Sequence, residues 1–268
     1  MSVRPISLDQ LPAGLVWRGA RFAAPPPSGR PSGFAALDAV LPGGGWPRGA
    51  LIELLCEQPG IGELSLLLPQ MRQVAAPRWL AWVAPPWTPY APALAQAGVP
   101  LERLLWVAPE RPREIRWATR QALLSGSCAL VLTWQSELDM AALRRLQLAA
   151  EQGATPLFLF RRRRAALQPS PAALRLQLDV GDDGELSVRV LKRRGPLLAA
   201  PLRLALPDRG RPGNTRFEAA TAAPRRHRTR ARFRPGLSAE AQVALQHAVA
   251  GPDPAPARPA GIPARIDG

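Results

Sequence analysis

Five short, unbroken apolar runs recur through the middle of this chain, separated by segments of helical periodicity, and that rhythm leaves few folds open. The runs are Ala50–Cys56 (ALIELLC), Trp79–Ala84 (WLAWVA), Leu104–Val107, Cys128–Thr133 (CALVLT) and Thr155–Phe160 (TPLFLF). Between them, Gly62–Val74, Tyr90–Ala97, Pro112–Ser125 and Glu137–Gln152 read as helices, the third with Ile115, Ala118 and Ala122 on one face. A strand that is apolar throughout needs cover on both faces, and a crossover helix lets consecutive strands run parallel. The prediction is an α/β domain with a mainly parallel sheet between two helical layers.

After Arg164 the rhythm changes. Ala173–Val180 (ALRLQLDV) and Glu185–Leu191 (ELSVRVL) alternate with period two around Gly181-Asp182-Asp183-Gly184, which predicts an antiparallel hairpin at the C-terminal end of the sheet. Leu202–Leu206 reads as one further strand. Ahead of the first strand, Phe34, Leu37 and Leu41 mark a short amphipathic helix stopped by Gly43-Gly44-Gly45. The domain reading is an extended arm over residues 1–30, a core over 31–207, and an Arg-, Pro- and Ala-rich tail over 208–268. One helix is expected within that tail, at 237–249, with Ser238 as its N-cap. Leu11, Leu15 and Trp17 are the docking candidates of the arm.

The formal net charge of +15 favours polyanions or acidic partners, although Arg-rich coding bias raises the same residues. No apolar run reaches the ~18 residues of a membrane span, and the N-terminus lacks a signal-peptide core. The expectation is therefore a cytoplasmic protein, nucleoid-associated when recruited to DNA. Cys56 ends its strand whereas Cys128 begins its own, so a parallel sheet holds them at opposite edges as buried thiols.

The first strand, its loop and the following helix form the setting of a phosphate-binding loop. Such a loop needs close backbone approach at glycine, a Lys for the terminal phosphates and a Ser or Thr for magnesium. Here Glu57-Gln58-Pro59-Gly60-Ile61-Gly62-Glu63-Leu64 keeps Gly60 and Gly62, but puts Glu63 where Lys is required and Leu64 where the hydroxyl is required. A carboxylate repels a triphosphate and does not replace the missing cation. The fourth strand ends in Thr133-Trp134 rather than an acid, and Val83-Ala84-Pro85-Pro86-Trp87 after the second offers no Glu to activate water. The expectation is a pseudo-ATPase with no catalytic residue, no cofactor and no metal site; His227 and His247 have no ligand-like companions.

Gly33-Phe34-Ala35-Ala36-Leu37-Asp38 and Gly44-Gly45-Trp46-Pro47-Arg48-Gly49, leading into the strand before this loop, resemble the start of the RecA core. The likeness runs over roughly residues 31–195. It implies a RecA-like three-layer αβα sandwich extended by the C-terminal hairpin. Within that superfamily the phrases ELLCEQPGIGELSLLLP, WVAPPWTPYAPALAQAG, LRRLQLAAE, QPSPAALRLQLD and LKRRG are similar to blocks of the ImuA family, whose members are often labelled SulA-like. The resemblance implies a non-catalytic accessory role in SOS-induced translesion DNA synthesis, the tolerance of DNA damage at the expense of mutagenesis. Its implied partners are ImuB (a Y-family-like polymerase homologue), RecA, and the alpha subunit of an error-prone C-family DNA polymerase. A SulA-like cell-division inhibitor is the first alternative; a weak DNA-stimulated ATPase of the recombinase type is the second.

Arg161, Arg162, Arg163 and Arg164 follow the fifth strand, where the RecA core has a loop that faces single-stranded DNA. Adjacent guanidiniums neutralise phosphates without reading sequence, so these four are candidate DNA or partner contacts, together with Lys192, Arg193 and Arg194 at the end of the hairpin. The basic run Arg225–Arg232 in the tail reads as a solvated segment with weak nucleic-acid affinity. Trp46, Trp79, Trp82, Trp87 and Trp106 read mainly as core or loop-packing residues; for Trp87 and Tyr90, at the mouth of the site, packing is favoured and partner contact is the alternative.

Overall fold

A computed structural model describes residues 28–181 and 184–206. The docking candidates Leu11, Leu15 and Trp17, the expected helix at 237–249 and the basic run Arg225–Arg232 lie outside the described residues.

The strands are β1 (Leu51–Cys56), β2 (Trp79–Val83), β3 (Leu104–Val107), β4 (Cys128–Trp134), β5 (Leu157–Arg162), β6 (Leu174–Val180), β7 (Leu186–Lys192) and β8 (Leu202–Leu204). They form one mixed sheet in the order β3-β2-β4-β5-β1-β6-β7-β8. Its first six strands pair in parallel, and β6–β7 and β7–β8 are antiparallel. β1 lies between β5 and β6, with Leu54 opposite Phe160 on one side and Leu176 on the other. All six of its residues, Glu53 included, are buried, as a strand covered on both faces requires.

The helices are α1 (Ala35–Asp38), α2 (Leu68–Arg72), α3 (Ala91–Gln96), α4 (Pro112–Leu124) and α5 (Met140–Gln152). One core joins Leu37, Met71 and Leu94 from α1, α2 and α3 to the sheet through Ile52, Leu54, Phe158 and Phe160. The opposite core joins Ala118 and Leu123 of α4 and Leu143, Leu146 and Ala150 of α5 to Leu51, Val83, Val131 and Leu159. The hairpin packs only on the first core, through Leu176, Leu178, Val188 and Val190. That one-sided burial is what its period-two sequence encodes.

Two helices start later than their apolar periodicity predicts. α5 begins at Met140 rather than Glu137 because Asp139 caps it, its Oδ1 accepting the Ala142 N–H at 2.6 Å. α2 begins at Leu68 rather than Gly62. The intervening residues form tight turns, in which Leu67 N–H donates to Leu64 O (2.9 Å) and Leu68 N–H to Ser65 O (3.4 Å). Cys56 and Cys128 are buried free thiols, and burial pushes each up to about 11. Among the described residues, no helix is long and apolar enough to cross a membrane, and no group of three or more His, Cys, Asp or Glu is placed to hold a metal ion.

Candidate functional site

The loop after β1 is closed by its own sequence. Gly60 and Gly62 sit at φ 92° and 106°, a left-handed conformation that favours glycine and turns both amides inward. The Glu63 carboxylate folds back onto them. Gly60 N–H donates to Oε1 (2.8 Å) and Oε2 (3.0 Å), and Gly62 N–H donates to Oε2 (3.1 Å). Glu63 is buried. A concave set of inward amides is an anion-binding nest, and here the anion is supplied from within the chain. The Glu63 carboxylate therefore occupies the amides that a bound anion would need.

The end of β4 is likewise filled. Trp134 stacks on Phe160 (centroids 4.6 Å apart, planes at 10°) and meets Trp82 edge-on at 5.7 Å. Trp134, Ile61 and Leu64 all pack against the same core. Beside them the buried Thr133 hydroxyl accepts from Gln135 Nε2 (3.1 Å) and lies 3.4 Å from the Thr119 hydroxyl, which donates to Ile115 O at 2.7 Å. The polar groups at this strand end are thus neutral and satisfied by one another.

The basic cluster after β5 differs from its sequence reading. Arg161 and Arg162 are the last two residues of β5, and Arg163–Leu167 form a 3₁₀ turn. Arg161 is a correction: it is fully buried rather than a surface contact. Its guanidinium donates to Glu53 Oε1 at 3.0 Å, to Ser136 O at 3.2 Å and to Gln168 Oε1 at 3.0 Å. The physical reason lies in β1, where Glu53 is completely buried between β5 and β6 and its charge requires partners. Arg175 of β6 supplies the second, its Nε donating to Glu53 Oε2 at 2.5 Å. The remaining donors of Arg175 hold the backbone of the turn, at Ala165 O (2.6 Å) and Gln168 O (3.1 Å).

Arg162 is exposed, and Arg163 and Arg164 are engaged by acids: Arg163 pairs with Asp179 and, at 3.7 Å, with Glu57, while Arg164 pairs with Glu137. At the end of the hairpin, Lys192 Nζ donates to Ser170 O at 2.8 Å, and Arg193 donates to Val40 O and Pro196 O. Arg194 is exposed. Neither basic group therefore presents its full complement of free cations.

The aromatic residues divide. Trp46 and Trp82 are buried as packing residues, Trp46 edge-on to Phe158 at 5.2 Å, and Arg103 lies over the Trp79 ring at 5.3 Å. Trp87 (65% exposed), Tyr90 (64%) and Trp106 (49%) face solvent instead, contrary to a packing role. They sit on the loop after β2 and on β3, the edge strand of the sheet among the described residues. Sequence reasoning passed over Glu53, although a lone carboxylate inside ALIELLC is a strong signal of a buried ion pair. Leu167, 92% exposed on the 3₁₀ turn, was also passed over.

Residues 50–156 match the family described as "SulA: Cell division inhibitor SulA". The matched segment runs from the residue before β1 to the residue before β5. Proteins named cell division inhibitor SulA from Yersinia pestis (strain Pestoides F) and Yersinia pseudotuberculosis serotype O:1b (strain IP 31758) are each 34% identical over 98 residues. That alignment covers 36% of this chain, and the chain spans 58% of the length of these relatives. A crystal structure of SulA from Pseudomonas aeruginosa aligns at 28% identity, covering 41% of this chain and 97% of that one, with a TM-score of 0.36.

Proposed function

We propose that this protein is a non-catalytic, SulA-like accessory protein of the SOS response, which acts by docking on another protein. The carrying observation is the Glu63 carboxylate on the Gly60 and Gly62 amides, with Trp134 and Phe160 packed at the neighbouring strand ends. A RecA-like sheet is the finer form of this reading. It is supported by the parallel strands β1–β6, the helices on both faces, and a loop and helix following a central β1. With its amides and strand ends occupied from within, such a sheet keeps surfaces for recognition.

The match over residues 50–156 favours the cell-division machinery as target, with the tubulin-like division protein as partner. A second reading is supported by residues outside that match. QPSPAALRLQLD and LKRRG, the ImuA-like phrases, fall at 168–179 and 191–195 and build β6 and the end of β7. They favour an adaptor of translesion synthesis that holds ImuB, RecA and the error-prone polymerase together.

The test is gel-filtration co-elution of the full chain with the tubulin-like division protein, ImuB and RecA. It is run at about 0.3 M salt, where nonspecific charge attraction is screened. Co-elution with the division protein and filamentation of cells on overexpression support the inhibitor, whereas co-elution with ImuB or RecA supports the adaptor. Magnesium-dependent ATP turnover stimulated by single-stranded DNA overturns both.

A further inference from the structure

Resting on the protein-docking reading above, we infer that the 3₁₀ turn Arg163–Leu167 is a prearranged knob. In this inference Leu167 enters an apolar pocket on an acidic partner protein, with the exposed aromatics Trp87 and Tyr90 of the same sheet end as its second contact.

A single exposed leucine is ordinary on a protein surface. What sets Leu167 apart is the structure beneath it. Two buried guanidiniums, Arg161 and Arg175, share the buried carboxylate of Glu53 and aim their other donors at the loops around them. Arg175 holds Ala165 O and Gln168 O, on either side of Leu167. Arg161 holds the Gln168 side chain and also Ser136 O and Leu138 O (3.4 Å), in the loop after β4. Apolar residues of the same volume are often at least as stabilising as a buried ion cluster. The contribution left to the cluster is conformational: it pins two loops at the carboxyl end of the sheet from below. The ordering entropy of those loops is thereby spent in folding rather than in binding, which is how a preorganised contact gains affinity.

Strand order sets the rest of this surface. β2, β4 and β5 are consecutive neighbours, so the loop carrying Trp87 and Tyr90, the loop carrying Glu137 and the turn carrying Leu167 follow one another along the same carboxyl end. Open parallel sheets bind ligands at this end. Here Glu63 and Trp134 fill the ends of β1 and β4, while the loop after β2 and the turn after β5 expose apolar side chains, Trp87 at 65%, Tyr90 at 64% and Leu167 at 92%. Large exposed aromatics and leucine suit contact centres that exclude water.

Charge selects the partner. Arg163 and Arg164 are engaged by Asp179, Glu57 and Glu137, so the turn does not offer the run of free cations that a phosphate backbone takes. The whole chain nevertheless carries +15, which draws acidic proteins at long range.

The experiment measures affinity of the wild-type chain, Leu167→Asp, Trp87→Ala and Leu148→Asp for the tubulin-like division protein, ImuB and RecA, with a single-stranded oligonucleotide in parallel. Leu148 is an exposed residue of α5 that serves as control. Far-UV circular dichroism and melting temperature confirm that the variants fold. The expected result is a loss of about tenfold or more for Leu167→Asp, a smaller loss for Trp87→Ala and none for Leu148→Asp. If the wild type binds a partner and Leu167→Asp binds it equally, this inference fails and the docking reading stands. If the wild type binds none of the three proteins, the docking reading itself fails. Oligonucleotide binding abolished by Arg162→Glu, with protein binding unchanged in Leu167→Asp, would assign the turn to nucleic acid instead.

Discussion

The loops after β1 and after β5 lie next to each other at one end of the sheet, and each is organised by one buried carboxylate. After β1, Glu63 turns inward on its own loop and consumes the amides of Gly60 and Gly62. After β5, Glu53 lies a layer below and works through Arg161 and Arg175, whose outer donors hold the turn while Leu167 points away. The first loop spends its inward amides on its own carboxylate, leaving no open nest for an anion. The second is held largely by Arg161 and Arg175, from outside its own sequence, and Leu167 at its end stays exposed. A buried carboxylate can thus close a site or prepare one, depending on whether it binds the loop directly or through a cation.

The comparison breaks most readily at Glu53. Glu53→Ala leaves two guanidiniums buried without their counter-charge and should cost about 3–5 kcal/mol in urea unfolding. A loss under about 1 kcal/mol would mean that the cluster is not the anchor described. The triple change Glu53→Met, Arg161→Met, Arg175→Leu sharpens the point: stability should stay near wild type, while amide exchange at 163–168 accelerates.

Glu63→Ala exposes the smaller dependence of the first loop. Orphaning the Gly60 and Gly62 amides should cost about 1–3 kcal/mol, reduced to the extent that water reaches them. Glu63→Lys should still show no thermal shift with magnesium-ATP, because Leu64, Thr133 and Trp134 are unchanged. A clear shift would show that the site had been blocked at Glu63 alone.

Alkaline pH tests the packing around the ends of β1 and β4. Burial raises both Cys56 and Cys128 to about 11, so the folded state holds these protons after the unfolded chain has begun to lose them. Their contribution to stability is complete below about pH 9 and falls as pH rises toward 11. Thiol titration at pH 8 should be slow in the native protein and rapid in urea. Fast native labelling of Cys56 would mean that the loop after β1 opens readily. The smallest effect is expected at Leu167, where Leu167→Asp should change melting by an amount equivalent to less than about 0.5 kcal/mol.

Much of the fold was legible because periodicity is a local property. The predominantly apolar runs ALIELLC, WLAWVA and CALVLT required a sheet covered on both faces, and ALRLQLDV and ELSVRVL required one covered on a single face. Glu63 and Leu64 directly after Gly62, with Ser65 one position late, were equally plain, since a phosphate loop is defined by short spacings. Where Glu63 would turn was not legible, because a side chain's partner depends on the conformation of its loop. The four arginines after β5 read as one patch in sequence but fell to different fates. Burial of Arg161 depends on Glu53, 108 positions away, and on the β1–β5 pairing that brings them together. Sequence determined which segments carry the strands and the helices, apart from two helix starts, and how each is covered. Tertiary structure decided which charges are consumed inside and which apolar side chains are left facing solvent, because both depend on contacts between residues far apart in the chain.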